Sequence, residues 1–163
     1  APLQSYHKRD FLWQYADPRI SELCVLPEFK QGNPNQNKPD QEDWHQWLRE
    51  CKQASTAHLF GVHHQDWGFI GSVNIDVLHG VGFFYYWLGT DFQGKDLGPQ
   101  AVRILLDWAR DYAGMRCCYA KIYQDNIYSQ KAIKKLGFQF SGLKIADSYE
   151  KDFEQRVRKI FDF

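Results

Sequence analysis

One stretch, residues 69–124, limits the folds open to this chain more than any other. It begins FIGSVNIDVL, residues 69–78, where apolar and polar residues alternate as along a half-buried strand. That alternation puts Phe69, Val73, Ile75 and Val77 on one side and Ser72, Asn74 and Asp76 on the other. His79-Gly80 is a two-residue hairpin signal. Residues 81–88 (VGFFYYWL) then run back, so the expected pairs are Leu78 with Val81, Asp76 with Phe83, Asn74 with Tyr85 and Ser72 with Trp87. A turn over residues 89–97 leads into an amphipathic helix, 99–113, opened by Pro99 and stopped by Gly114. Its buried stripe is Val102, Leu105, Leu106, Ala109, Tyr112 and Ala113. A strand follows at residues 116–124. Strand, helix and strand in that order demand a parallel crossover inside an otherwise antiparallel meander. The fold class is therefore α+β.

The remaining segments fit round that frame. Residues 6–15 predict a short helix. Residues 43–54 predict another, capped by Asp40, with Trp44, Trp47, Leu48 and Cys51 on one face. Between them, residues 27–43 (PEFKQGNPNQNKPDQED) carry three prolines, three asparagines and almost nothing apolar. That is turn chemistry, and loops of such length tend to serve a site or stay disordered. Residues 57–64 read as a strand. Residues 127–136 read as a helix capped by Asn126 and stopped by Gly137, with Ser129, Ala132, Ile133 and Leu136 inside. Residues 138–146 and 156–163 close the sheet, joined by residues 147–155. The expectation is one domain, residues 1–163: a mixed, mostly antiparallel twisted sheet of about six or seven strands flanked by about four helices.

Composition removes several function classes. The 20 Lys and Arg balance 20 Asp and Glu, which argues against a general nucleic-acid coat, whose affinity grows with the phosphates neutralised. No run approaches the ~18 apolar residues of a membrane helix. The opening Ala1-Pro2-Leu3-Gln4 has no charged-then-apolar leader. Cys24, Cys51, Cys117 and Cys118 form no CxxC pair, and the six histidines form no metal-ligand grouping. Reduced thiols, a cytoplasmic setting and no metal are expected.

Two features carry chemistry. The first is Gln93-Gly94-Lys95-Asp96-Leu97-Gly98-Pro99, between a strand end and a helix start. Successive backbone N–H groups there, with the helix dipole behind them, form an anion nest. The second is Asn126-Ile127-Tyr128-Ser129, leading through Leu136-Gly137-Phe138, where a hydroxyl falls on a helix's inner face. A third element is the sheet face bearing Asn74, Tyr85 and Trp87, whose mix of polar and aromatic groups suits a solvated surface and also a pocket wall.

In this order and spacing, from about residue 70 to 142, the chain resembles the Gcn5-related N-acetyltransferase (GNAT) family. The run Tyr86-Trp87-Leu88-Gly89 through the glycine turn to Leu136-Gly137-Phe138 is most similar to the branch containing ribosomal-protein N-acetyltransferases. The resemblance implies a GNAT-type fold and acetyl-CoA as co-substrate. Residues Gln93, Gly94, Lys95, Asp96, Leu97 and Gly98 would hold its pyrophosphate, with Asp96 standing where the family's pattern has a central glycine. Leu88 and Gly89 would hold pantetheine, the Leu88 N–H would polarise the thioester, and Asn126 would bond the coenzyme from its side chain. Many members use a Tyr acid in the second helix; Ile133 stands there, and the implied substitute is Ser129. The family's strand Glu is likewise absent at Phe83. Candidates for the base are Asp76 across the hairpin, Glu150 in the late loop, or water held by Asn74 or Tyr85. The implied acceptor is an amine of a protein N-terminus, peptide or small molecule, handled by a monomer or homodimer. Two other classes stay open: acetylation of charged tRNA, for which Lys131, Lys134 and Lys135 offer a basic rim, and a non-catalytic CoA-binding module.

Overall fold

The computed structural model describes residues 1–21, 24, 41–146 and 157–163. Most of the predicted loop 27–43, the Asp40 cap and Glu150 lie outside the described residues. A 3-10 turn, Ser5–His7, leads into α1 (Lys8–Tyr15) and α2 (Pro18–Ser21). Helix α3 (Gln41–Gln53) begins two residues before the predicted start. Then come β1 (Ala57–His64), β2 (Gly68–Leu78), β3 (Val81–Leu88), a 3-10 turn (Thr90–Phe92), α4 (Leu97–Tyr112), β4 (Cys117–Tyr123), α5 (Ile127–Lys135), β5 (Gln139–Ala146) and β6 (Val157–Asp162). The six strands form one sheet in the order β1-β2-β3-β4-β6-β5.

The hairpin register is the one the two-residue turn dictates, with Asn74 opposite Tyr85 and Ser72 opposite Trp87. His79 and Gly80 both take positive φ, 51° and 81°, as a type I′ turn requires. Strands β3 and β4 are parallel, so α4 is the expected crossover.

Each sheet face buries its own core. Val73, Ile75 and Phe84 pack against Val102, Leu105 and Ala109 of α4 and Ile133 of α5. On the other face, Phe69 and Trp87 meet Leu3, Phe11, Tyr15, Ile20, Trp44, Trp47 and Leu48. Phe11 is central there, with ring centroids 5.0 Å from Trp87 and 5.6 Å from both Trp44 and Trp47. Burying one such ring contributes about 2–3 kcal/mol.

Four expectations need correction. Phe69 does not share a face with Val73: Val62 pairs with Gly71 but His63 with Phe69, so Ile70 is an extra residue. That bulge turns Phe69 toward the N-terminal helices. The face carrying Ser72 and Asn74 is not solvated; both are buried beneath the N-terminal helices. Tyr112 is 78% exposed, because the apolar stripe of α4 runs out in its last turn and the ring lies on Trp108 instead. Helix α4 starts at Leu97, so Pro99 is its third residue, where a missing N–H still costs no intrahelical bond.

Candidate active site

The site begins where the sheet comes apart. The parallel pairing of β3 and β4 ends at Phe84 with Ala120, yet β3 runs on to Leu88 and β4 to Tyr123. Past that point the strands have no ladder between them. A cleft of about 660 Å³ opens there, walled by Tyr86, Leu88, Gln93, Gly94, Asp96, Gly98, Asn126 and Ser129. Its edges reach Ile20 and Cys24 on one side and Lys131 and Lys135 on the other.

Backbone groups point into this gap. The Gly89 N–H donates to the Ile70 carbonyl across the hairpin, at 2.9 Å. Antiparallel ladders alternate, so the N–H and carbonyl of Leu88 face away from β2, toward the cleft. The Leu88 carbonyl accepts from Gln93 Nε2 at 3.1 Å, which ties the glycine turn to the strand end. In the turn Gly94 takes φ +74°, and Asp96 takes φ +60°, ψ +13°. Asp96 thus occupies the left-handed region that favours glycine, and it makes no side-chain capping bond to α4. Its carboxylate is left at the helix N-terminus. Gly98 permits the next close approach: a Cβ there would lie 2.9 Å from the Tyr86 ring. Arg103, Lys131 and Lys135 line the cleft with Asp96, so cationic groups outnumber that carboxylate around a helix N-terminus, a fit for a polyphosphate.

Asn126 caps α5 as predicted, its Oδ1 accepting from the Ser129 N–H at 3.1 Å. Its Nδ2 makes no bond among the described residues and is a donor available to the cleft. The Ser129 hydroxyl likewise makes no bond back to its own helix. The sequence pattern missed Gln130, which is buried and donates to the Tyr123 and Gln124 carbonyls at 3.1 and 2.9 Å. That clamp fixes the start of α5 against the end of β4. Its spacing from Asn126, one helical turn, was the available signal.

Across the sheet, Asn74, Tyr85 and Trp87 share the face covered by α1 and α3. Ser72 Oγ lies 2.9 Å from the Phe60 carbonyl and 3.1 Å from the Asn74 amide. One hydroxyl proton serves one of them, and either way one polar atom of Asn74 has no partner. Trp87 Nε1, Trp44 Nε1 and Gln14 Oε1 are also buried without one. Each such orphan costs about 1–3 kcal/mol. Gln14 Nε2 donates to the Phe69 carbonyl, which presses the orphan Oε1 against Gly89. Nothing in the sequence pattern pointed to Gln14.

Asp76 is on the same face as Asn74, opposite Phe83. It stands five residues along β2 from the Gly71–Leu88 pair, about 16 Å at strand rise, and is not among the cleft-lining residues. Burial raises its carboxyl above the ordinary range, against the pull of His58 and Lys121. Tyr86 was not anticipated either. Burial first, then nearby Cys24 and Tyr128, pushes its hydroxyl up to about 12, so it stays a donor in the cleft wall. At the mouth, Asp17 holds Arg19 (Nη2 to Oδ2 2.7 Å) and accepts from Thr90 at 2.8 Å, pinning α2 beside the turn that follows β3. Those hydrogen bonds, Arg19's foremost, hold the Asp17 carboxyl far below the usual range. Among the described residues no His, Cys, Asp or Glu grouping could hold a metal, and no helix is long and apolar enough to cross a membrane.

Comparison with known proteins agrees with this geometry. The family model described as "Acetyltransferase (GNAT) domain" matches residues 1–139. No curated protein sequence matches. Among solved structures, spermidine N-acetyltransferase from Vibrio cholerae with CoA and spermine superposes with a TM-score of 0.80 at 12% identity, over 100% of this chain and 92% of that one. Mycobacterium smegmatis RimJ with CoA-disulfide gives 0.83 at 16% identity, covering 99% and 79%. Ribosomal-protein-S5-alanine acetyltransferase from Vibrio fischeri gives 0.77 at 19%, covering 100% and 90%.

Proposed function

The chain belongs to the acetyltransferase (GNAT) family, and on that premise we propose that it acts as one domain, in the cytoplasm, moving an acetyl group from acetyl-CoA to an amine. The acceptor is a protein N-terminus, a peptide or a small molecule. The observation that carries this is the splay of β3 from β4 below a glycine turn and a helix N-terminus, with Leu88 backbone and Asn126 Nδ2 facing the gap.

Bound there, acetyl-CoA supplies an acyl group activated as a thioester. The amides of residues 93–98 and the start of α4 take the pyrophosphate. The Leu88 N–H donates to the thioester carbonyl, where negative charge develops during attack. Asn126 Nδ2 bonds the coenzyme chain. Ser129, whose hydroxyl is uncommitted, donates to the departing sulfur, and Tyr86 stands in the same wall as a second hydroxyl. The amine must be neutral to attack. Asp76 receives its proton through water past Tyr85 and Asn74, since its raised affinity for protons and its distance from the cleft both suit a relay.

Thiol release from acetyl-CoA in the presence of an amine tests this, alongside calorimetry with CoA. Ser129→Ala is expected to lower kcat about a hundredfold with the CoA Kd unchanged, while Asn126→Ala weakens CoA binding. Wild-type-like turnover in Ser129→Ala removes that residue's role. Absence of heat with CoA in the wild type removes the whole assignment.

A further inference from the structure

The turn between β1 and β2 reaches the glycine turn from outside the cleft. The ladder of these strands, which ends with His64 opposite Gly68, runs past the Gly71–Leu88 pair, so the β1–β2 turn stands beyond the end of β3. Trp67 in that turn is 48% exposed and belongs to neither core cluster. Its ring stacks on His64, with centroids 4.0 Å apart and planes at 18°, and meets the Phe92 ring at 5.6 Å. The Lys95 ammonium lies over the same indole, 5.9 Å from its centre. Phe92 ends the 3-10 turn after β3 and lines the cleft, and Lys95 stands in the middle of the glycine turn. One side chain from another hairpin therefore meets the β3–α4 connection at two points.

That connection is otherwise thinly held. Gly94 and Asp96 both take left-handed backbone, at φ +74° and +60°, and Asp96 does so with a Cβ. Among the described residues, the side chains of residues 93–96 make one hydrogen bond, from Gln93 to the Leu88 carbonyl. A Cβ built on Gly94 meets nothing nearer than the Tyr128 hydroxyl, at 3.8 Å. Gly94 and Asp96 line the cleft, but Lys95 between them does not. Its ammonium goes to the outer indole, the ring type that attracts a cation best.

Resting on the acetyl-CoA reading, we propose that Trp67 is a positioning residue for the coenzyme: from the β1–β2 turn it holds Phe92 and Lys95, and so keeps the glycine turn in its phosphate-binding shape before the coenzyme arrives. Lys95 serves binding through its backbone and through Trp67, not through an ion pair to the pyrophosphate. A turn ordered in advance spares binding the entropy of fixing it. An exposed cation–π contact and one ring packing set the scale at roughly three- to tenfold in affinity.

The test is calorimetry with CoA on Trp67→Ala, Trp67→Phe, Lys95→Met and the double variant Trp67→Ala/Lys95→Met. Tm, and thiol release from acetyl-CoA with alanyl-alanine amide, are measured on the same samples. Trp67→Ala is expected to weaken CoA roughly three- to tenfold and to raise the KM for acetyl-CoA by the same factor, with kcat, the acceptor KM and Tm unchanged. Trp67→Phe, which keeps a ring face for Lys95 and Phe92, is expected to retain most of the affinity. Lys95→Met is expected to weaken CoA by a smaller factor, and to have no effect once Trp67 is gone, since the two act as one unit. A Lys95 effect that persists undiminished in Trp67→Ala means a direct contact with phosphate and overturns the inference. So does a loss of kcat, acceptor KM and Tm together in Trp67→Ala, the mark of a merely structural role. If the wild type binds no CoA, the acetyl-CoA reading falls and this inference with it; if it binds CoA and Trp67→Ala binds it equally well, the inference falls alone.

Discussion

The two sides of the sheet are built from different materials. On the α4 and α5 side the cleft is made largely of backbone: the Leu88 carbonyl and N–H, the turn at Gly94 and Asp96, the start of α4. On the N-terminal side it is made of rings, with Phe11 ringed by Trp44, Trp47 and Trp87. Backbone geometry of this kind needs glycines and caps at fixed offsets, so it leaves a pattern in the sequence. A packed cluster of side chains brought from residues 3 to 87 leaves none.

That division can be broken or sharpened by substitution. The largest effect is expected from Trp44→Ala, which empties the middle of the aromatic face. Urea unfolding is expected to show a loss of about 3–5 kcal/mol, with CoA affinity of the remaining folded protein unchanged. A comparable loss of CoA affinity would merge the two sides into one unit. A smaller effect, of opposite sign, is expected from Asp96→Gly. It relieves a non-glycine residue at φ +60° and is expected to stabilise the fold by about 1 kcal/mol. Removing the carboxylate from the helix N-terminus also tightens CoA binding severalfold; calorimetry that shows no change, or weaker binding, places that carboxylate outside the phosphate's field.

The smallest effect is titration of the cover. His7 is buried, 5.0 Å from His63 and stacked on Phe69, and its Nδ1 accepts from the Gln4 N–H. Burial first, then His63 and the N-terminal ammonium, lower its pKa below the ordinary imidazole value of 6.5. The folded state therefore prefers the neutral ring. Its contribution is complete above that value and is lost as pH falls toward the lowered one. Tm is expected to fall modestly on acidification below about pH 6.5, and less in His7→Gln. An identical slope in the variant assigns the acid sensitivity elsewhere.

Much of the frame was legible because its signals are local. His79-Gly80 set the register of eight cross-strand pairs, and Asn126 announced the start of α5. The bulge at Ile70 was not legible, since FIGSVNIDVL alternates acceptably without it. Whether the Ser72 and Asn74 face met water or helices was equally hidden, because its cover comes from far along the chain. In the candidate site, the glycine turn and Asn126 came from pattern, whereas Gln14, Tyr86 and Gln130 are ordinary residues that gain their roles from where packing leaves them.

The strand order carries a consequence for assembly. β6 stands between β4 and β5, so β5 is synthesised before the strand it pairs with. Until β6 slots in, the Tyr119–Tyr123 edge and the whole of β5 present bare hydrogen-bonding rims to the cell. Chaperone dependence, and any tendency of nascent chains to exchange this strand with one another, should concentrate at that insertion.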